Sequence, residues 1–433
     1  MADAPGRRRI DPYYRCVEDL SAAGLARELA DELDERLAAE DDALVTRFPG
    51  ERPGRQPVHT VYVPADQYAA DLPSTWGRRA LQSMTDHGDL LRECLGEAAE
   101  DLLPLVRDKL EREPIEDLRI DFEDGYGARP DDVEDADVAR AAGALAESQS
   151  AAAGPASYGI RFKSFERPTR RRGLATLVAF VDHLLSAGSD LGGFVTTLPK
   201  VTAVAQVEGM ALACERIEAA HDLAPGTLRF EIQVETPQSI LGPDGTALVA
   251  RMIGAAPSRV VGLHYGTYDY SAFCGIAAPY QSLEHPAADH AKAVMQAAAA
   301  GTGVRLSDGS TNILPVGDVE LVQRAWQLHL RHVRRALERG FYQGWDLHPA
   351  QLPTRYAATY AFYREGFADA ADRLRRYRAR TAGGVLDEPA TARALADFLV
   401  RGLDCGAVRD DEAETVTGLD RPALTALARP TRT

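Results

Sequence analysis

The feature that most constrains the fold of this chain is a repeated alternation of short β-like runs with stretches whose apolar residues recur near a 3.6 period. The runs are His59 to Ala65, Leu118 to Asp124, Tyr158 to Phe165, Gly193 to Lys200, Leu228 to Thr236, Arg259 to Gly266, Thr311 to Val316 and Phe341 to Leu347. Between them lie helical candidates, among them 135–153, 173–187, 203–220, 288–300 and 318–339. Parallel strands need such crossovers, so eight runs separated by helices predict an α/β fold, a closed TIM (β/α)8 barrel. A doubly wound open sheet would usually announce a nucleotide site with a glycine-rich first turn. The nearest string, Gly125-Tyr126-Gly127, follows the second run and lacks the third glycine.

The barrel is expected over residues 56–356, preceded by a helical extension and linker (1–55) and followed by a helical extension (357–433). The front carries a helical stretch near Leu20 to Ala39 and closes on Phe48-Pro49-Gly50-Glu51-Arg52-Pro53-Gly54-Arg55, a linker composition. The last residues, Ala428 to Thr433, read as frayed. With 49 Lys+Arg against 65 Asp+Glu the formal charge is -16, which repels phosphate backbones and anionic lipid. Nucleic acid and membrane are therefore not expected as partners. No apolar run reaches the ~18 residues of a membrane helix, and the basic start has no hydrophobic stretch behind it, so a cytoplasmic location is expected. Cys16, Cys94, Cys214, Cys274 and Cys405 are odd in number and widely spaced, and read as reduced and structural.

In such a barrel the loops at the C-terminal ends of the strands form one mouth, so polar residues that end apolar runs are the catalytic candidates. Asp121, Glu123 and Asp124 end the second run, Arg161 and Lys163 lie in the third, and Lys200 ends the fourth. Glu235 ends the fifth, Asp269 follows the sixth, and Asp346 and His348 end the eighth. Neighbouring strands would bring Glu235 and Asp269 together. Two carboxylates plus water make an incomplete Mg²⁺ shell that leaves room for a bidentate oxygen ligand such as a 2-keto acid. The structural alternatives are a helix cap for Glu235 and a turn for Asp269.

Arg161 lies within an alternating strand, where a guanidinium can hold a carboxylate bidentately, or simply form a salt bridge. Lys200 reads as a cation paired with the acidic cluster, the alternative being the Schiff-base lysine of a metal-free aldolase. Asp121 and Glu123 share one side of a strand, and one of them can orient a metal-bound water or pair with Arg161. His348, before Pro349, is either an acid/base group or a turn-fixing residue. His329 and His332, with no acidic residue close in sequence, read as a solvated helix face. Arg170-Arg171-Arg172 is the nearest candidate for a nucleotide phosphate, with a solvated loop before a helix as its bland reading.

Taken in order, Tyr62-Val63-Pro64-Ala65, Asp121-Phe122-Glu123-Asp124, Ile160-Arg161-Phe162, Leu198-Pro199-Lys200, Val234-Glu235-Thr236, Gly266-Thr267-Tyr268-Asp269-Tyr270-Ser271 and His348-Pro349-Ala350-Gln351 resemble the citrate lyase β-subunit / HpcH-HpaI aldolase superfamily, which includes malyl-CoA lyase. The resemblance implies a metal-dependent TIM barrel that makes or breaks a C–C bond beside a carbonyl. It implies that Glu235 and Asp269 hold Mg²⁺ (or Mn²⁺), that Arg161 binds the substrate's carboxylate or carbonyl oxygen, and that Asp121, Glu123, Asp124, Lys200 and His348 line or support the site. The substrate would be a 2-keto/hydroxy acid or an acyl-CoA thioester, and the protein a homo-oligomer, trimer or hexamer. Two other readings belong beside it: a phosphoenolpyruvate-mutase-like Mg²⁺-enolate enzyme, and a non-catalytic metabolite-binding barrel. The strand carrying Arg161 reads Arg-Phe-Lys where family members often have Asn third, and Gly242-Pro243-Asp244-Gly245 marks an inserted loop near the mouth.

Overall fold

Eight strands alternate with helices and pair in parallel throughout: β1 His59–Pro64, β2 Asp117–Asp121, β3 Ser157–Arg161, β4 Val195–Leu198, β5 Arg229–Val234, β6 Val260–Tyr265, β7 Arg305–Ser307 and β8 Gly344–Asp346. They are seen in a computed structural model that describes residues 21–151, 154–379 and 388–430. Sequential strands are neighbours from β1 to β7, β8 returns to pair with β1, and a parallel bridge between Ser307 and Gln343 closes β7 onto β8. The expected TIM barrel is the observed one. Cys16, the last residues 431–433, and residues 152–153 of the helix expected over 135–153 lie outside the described residues.

One strand was misplaced by the sequence reading. The seventh is Arg305–Ser307, whereas 311–316 forms a loop that leaves Ile313 and Val316 about half exposed. The true strand is three residues long and starts with an arginine, so it carries no alternating apolar signal.

Parity along the strands decides which side chains line the barrel axis. Leu118, Ile120, Phe230, Ile232 and Leu263 are fully buried on the outer face, beneath helices such as Asp131–Ser150, Arg170–Ser186 and Val204–Ala220. The alternate positions carry polar groups: Asp117, Arg119 and Asp121 on β2, and Glu231 and Gln233 on β5. Most TIM barrels fill this space with branched apolar side chains. Here Arg119 bridges Asp117 and Glu231, with Nη2 2.8 Å from Glu231 Oε2, and His264 Nε2 lies 3.0 Å from the same oxygen. Burial of so many charges is tolerable only in a closed network of this kind. Gly159 pairs with Arg119 in the β2–β3 register and so belongs to the same layer, where a Cβ would lie 1.7 Å from the Val195 carbonyl oxygen on β4.

After β8 the 28-residue helix Leu352–Ala379 packs on the barrel and shares a smaller core with Pro389–Cys405, Asp410–Thr417 and Arg421–Ala428, built on Phe367, Leu374, Leu399, Leu403 and Leu424. Compact units divide the chain at Pro49/Gly50. The first contains the helix Ala22–Arg47, capped by Ser21, whose hydroxyl accepts from the Gly24 N–H. Of the cysteines, Cys94, Cys214, Cys274 and Cys405 are free thiols, two of them buried.

Candidate active site

The carboxyl ends of β2, β4, β5 and β6 meet at one acidic cluster. Oxygens of Asp124, Glu235 and Asp269 all lie within 4.8 Å of one another. Glu235 ends the inward-facing series of β5, and its adjoining Thr236, not Glu235, caps the short helix Pro237–Ile240 by accepting from Ser239 N–H. Asp269 is the third residue of the helix Thr267–Phe273, which starts directly after β6. Gly266 lets that helix start close to β5, since a Cβ there would sit 2.5 Å from Glu235 Cβ. The Gly242–Gly245 segment folds into a tight turn closed by a bridge between Leu241 and Ala247.

Lys200 stands at the centre of the cluster. Its Nζ is 2.8 Å from Glu123 Oε1, 2.8 Å from Asp124 Oδ2 and 2.7 Å from Asp269 Oδ2. Its backbone N–H donates to Glu235 Oε1 at 2.7 Å, from a left-handed conformation (φ 51°) that is uncommon away from glycine. The surrounding acids raise the ammonium's pKa although burial opposes the charge. An ammonium ion-paired with three carboxylates matches the cation reading of Lys200 better than that of a Schiff-base nucleophile.

Burial drives the Glu235 carboxyl well above its ordinary value, with Glu123 and Asp269 adding repulsion and Lys200 and Arg161 only partly compensating. Burial likewise raises Glu123. Asp124 is held low, because its contact with the Lys200 ammonium outweighs burial.

Arg161 and Asp121 are direct partners in the β2–β3 register. The guanidinium grips Asp121 by a fork, Nε to Oδ1 at 2.7 Å and Nη2 to Oδ2 at 2.6 Å, and rests over the Tyr62 ring at 4.9 Å. The bidentate partner anticipated among substrate groups is thus a protein carboxylate. Only Nη1 is left, donating to Gln233 Oε1 at 3.3 Å and lying 3.6 Å from Glu123 Oε2. Gln233, which the sequence reading passed over, also donates to Glu235 Oε2 and so ties the arginine to the acidic cluster. Its signal was available, since residues 231, 233 and 235 share one strand face.

Other candidates lie elsewhere. Lys163 faces outward to Glu134 (2.6 Å) and the Phe122 carbonyl. Asp346 is fully buried behind the barrel, held by Arg355, His59 Nδ1 (2.7 Å) and His329 Nε2 (3.1 Å). His329 and His332 are not a solvated face: they are 3% and 6% exposed, facing Asp346 and Glu284, acids that are distant in sequence but adjacent in space. His348 accepts from the Ala350 N–H through Nδ1, the turn-fixing arrangement, and among the described residues no hydrogen bond joins it to the acidic cluster. Arg170 and Arg172 open a helix instead of sitting in a loop; Arg172 is spent on Asp135 and Glu134, and Arg170 on the Phe165 carbonyl.

The residues present fit a hard divalent cation. Four carboxylates (Glu123, Asp124, Glu235 and Asp269) face one ammonium and the remaining Nη1 of Arg161, 3.6 Å from Glu123, which leaves the cluster short of positive charge. Opposing oxygens stand about 4.0–4.2 Å apart around Mg²⁺ and about 4.6–5.2 Å apart around Ca²⁺, so oxygens within 4.8 Å of one another are close to the spacing of a hard divalent cation's shell.

A parallel barrel of this kind is also the architecture of known structures. A citrate lyase from Burkholderia xenovorans LB400 superposes with a TM-score of 0.55 at 21% identity, over 85% of this chain and 98% of that one. A Haloferax volcanii malate synthase, solved as a lead(II) complex, gives a TM-score of 0.50 at 16% identity, over 87% and 99%. The fold is therefore the one the sequence resemblance implied. By sequence, residues 37–432 match DUF6986, a domain of unknown function, and the chain belongs to that family. No functionally curated protein matches the sequence.

Proposed function

We propose that this protein is a Mg²⁺-dependent carbon–carbon lyase or aldolase that works through an enolate, on a 2-keto/hydroxy acid or an acyl-CoA thioester. The observation that carries the reading is the convergence of Asp124, Glu235 and Asp269 within 4.8 Å beside Arg161 on the C-terminal rim. Glu235 and Asp269, with Asp124, would hold the metal, which when bound supplies Lewis-acid polarisation of a carbonyl oxygen.

The remaining residues orient and balance charge. Gln233 fixes the free oxygen of Glu235, and the Lys200 N–H fixes the other, so the carboxylate has one rotamer. Arg161, clamped by Asp121 and backed by Tyr62, holds Nη1 towards the cluster, where it would meet a substrate oxygen by exchanging its contact with Gln233, and the fixed guanidinium is the preorganisation that charge stabilisation requires. The Lys200 ammonium offsets negative charge that develops at the rim. Citrate lyase and malate synthase, the fold neighbours, support this reaction class. The protein is also proposed to be a homo-oligomer; a monomer in light scattering would count against that. Among the described residues no helix is long and apolar enough to cross a membrane.

The deciding experiment follows proton–deuterium exchange by NMR at the methyl groups of pyruvate, acetyl-CoA and propionyl-CoA in D₂O. Exchange that needs Mg²⁺ and is lost in Glu235→Gln is expected. Exchange that persists in that variant, or in EDTA, would overturn the assignment.

A further inference from the structure

At the opposite end of the barrel, where the strands begin, a cavity of about 200 Å³ opens beneath the segment that leads into β1. Its walls carry Arg229, the first residue of β5, Arg305, the first of β7, and Arg52 from the lead-in segment. Among the described residues none of these guanidiniums has a carboxylate within salt-bridge distance. Arg52 donates only to the carbonyls of Gly303, Ser258 and Val260. Arg305 donates only to those of Arg55, Pro53 and Gly54. Among the described residues the Arg229 side chain makes no hydrogen bond.

The acids deeper in the cavity do not compensate. Asp117 and Glu231 are already bridged by Arg119, so the lining keeps a surplus of positive charge. This surplus stands in a chain whose net charge is -16. Burial and repulsion from Arg401, Arg429 and Arg52 push the Arg305 pKa down to about 10, against a weaker pull from Glu51. Arg401 and Arg429 are themselves paired with Asp397, so they border the site without filling it. Three half-buried guanidiniums border the void, two of them held in place by carbonyls, an arrangement whose charge and donors suit an oxyanion.

We propose that this N-terminal cavity binds a small oxyanion carrying at least two negative charges, of phosphate chemistry, supplied as inorganic phosphate or as the terminal group of a phosphate ester. The site lies across the barrel from the acidic cluster and does not depend on the reaction assigned there. Arg229 is the residue to remove, because it holds no other group in place. Arg52 and Arg305 also anchor backbone.

The test is isothermal titration of the full chain with inorganic phosphate and with glycerol 3-phosphate at constant ionic strength, in the wild type, Arg229→Gln, Arg52→Gln and Glu235→Gln. Saturable binding is expected in the wild type and in Glu235→Gln, weakened about tenfold or more in Arg229→Gln. Tighter binding of glycerol 3-phosphate would assign the ester, and tighter binding of phosphate the free ion. Thermal denaturation without ligand confirms that Arg229→Gln is folded. If Arg52→Gln unfolds, Arg229→Gln alone decides. Absence of saturable binding, equal affinity in wild type and Arg229→Gln, or loss of binding in Glu235→Gln would each overturn the proposal, the last by placing the anion at the rim.

Discussion

The backbone N–H of Lys200 lies 2.7 Å from Glu235 Oε1, while the side chain of the same lysine reaches past Glu235 to Asp269. One residue thus positions a proposed metal ligand with its main chain and supplies with its ammonium the cluster's nearest countercharge. The two roles can be separated, because substitution of the side chain leaves the amide in place.

Lys200→Met should bind Mn²⁺ more tightly than the wild type, by about tenfold, because a cation competing for the same oxygens has been removed. Electron paramagnetic resonance of free Mn²⁺ gives the affinity directly. Weaker binding would mean that the ammonium organises the carboxylates more than it competes with metal.

The Arg161–Asp121 fork is buried on both sides, at 8% and 3% side-chain exposure. Arg161→Ala should therefore cost about 3–5 kcal/mol of stability by stranding Asp121, besides any effect on turnover. In a denaturant double-mutant cycle, Arg161→Ala with Asp121→Asn should be less destabilised than the sum of the single variants. Additive losses would show that the pair contributes no coupling.

Gly266→Ala removes no functional group, yet its Cβ would press on Glu235 Cβ. We expect near-native circular dichroism with turnover reduced by about 100-fold, the cost of displacing a reacting-site group by about an ångström. Wild-type turnover would show that the rim is more yielding than its packing suggests.

His332 is buried with Nδ1 unpartnered, and burial lowers its pKa from 6.5 to about 4 against the weaker pull of Glu284. The unfolded chain takes up this proton at higher pH than the folded chain does. Stability attached to His332 is thus complete above about pH 6.5, and falls as pH drops towards 4, by at most about 3 kcal/mol. Urea denaturation at stepped pH should show His332→Gln with a shallower acid limb between those values. Identical limbs would place the acid sensitivity elsewhere.

Much of the rim was legible because strand ends have a local grammar. Glu235 reads as a carboxylate after an apolar strand and before a proline turn, Asp269 as an acid just past a glycine, and both lie where neighbouring parallel strands must bring them. Asp124 and Lys200 were legible as rim residues for the same reason. Gln233 was legible in principle by its parity with Glu235, but a neutral amide carries no charge signal. The seventh strand was missed because a three-residue strand beginning with arginine has no periodicity to read.

By itself the sequence determined the order of strands and crossovers, and hence the barrel, because alternating periodicities of 2 and 3.6 admit few layered packings. Tertiary structure alone decided which charges meet. Asp346 pairs with His59 and faces His329 behind the barrel, Arg161 gives its fork to Asp121, and Arg52, Arg229 and Arg305 gather around a cavity without an acid in salt-bridge reach among the described residues. Coulomb partners are set by distance in space, and closing a barrel brings together residues separated by tens to hundreds of positions. No local pattern records that separation.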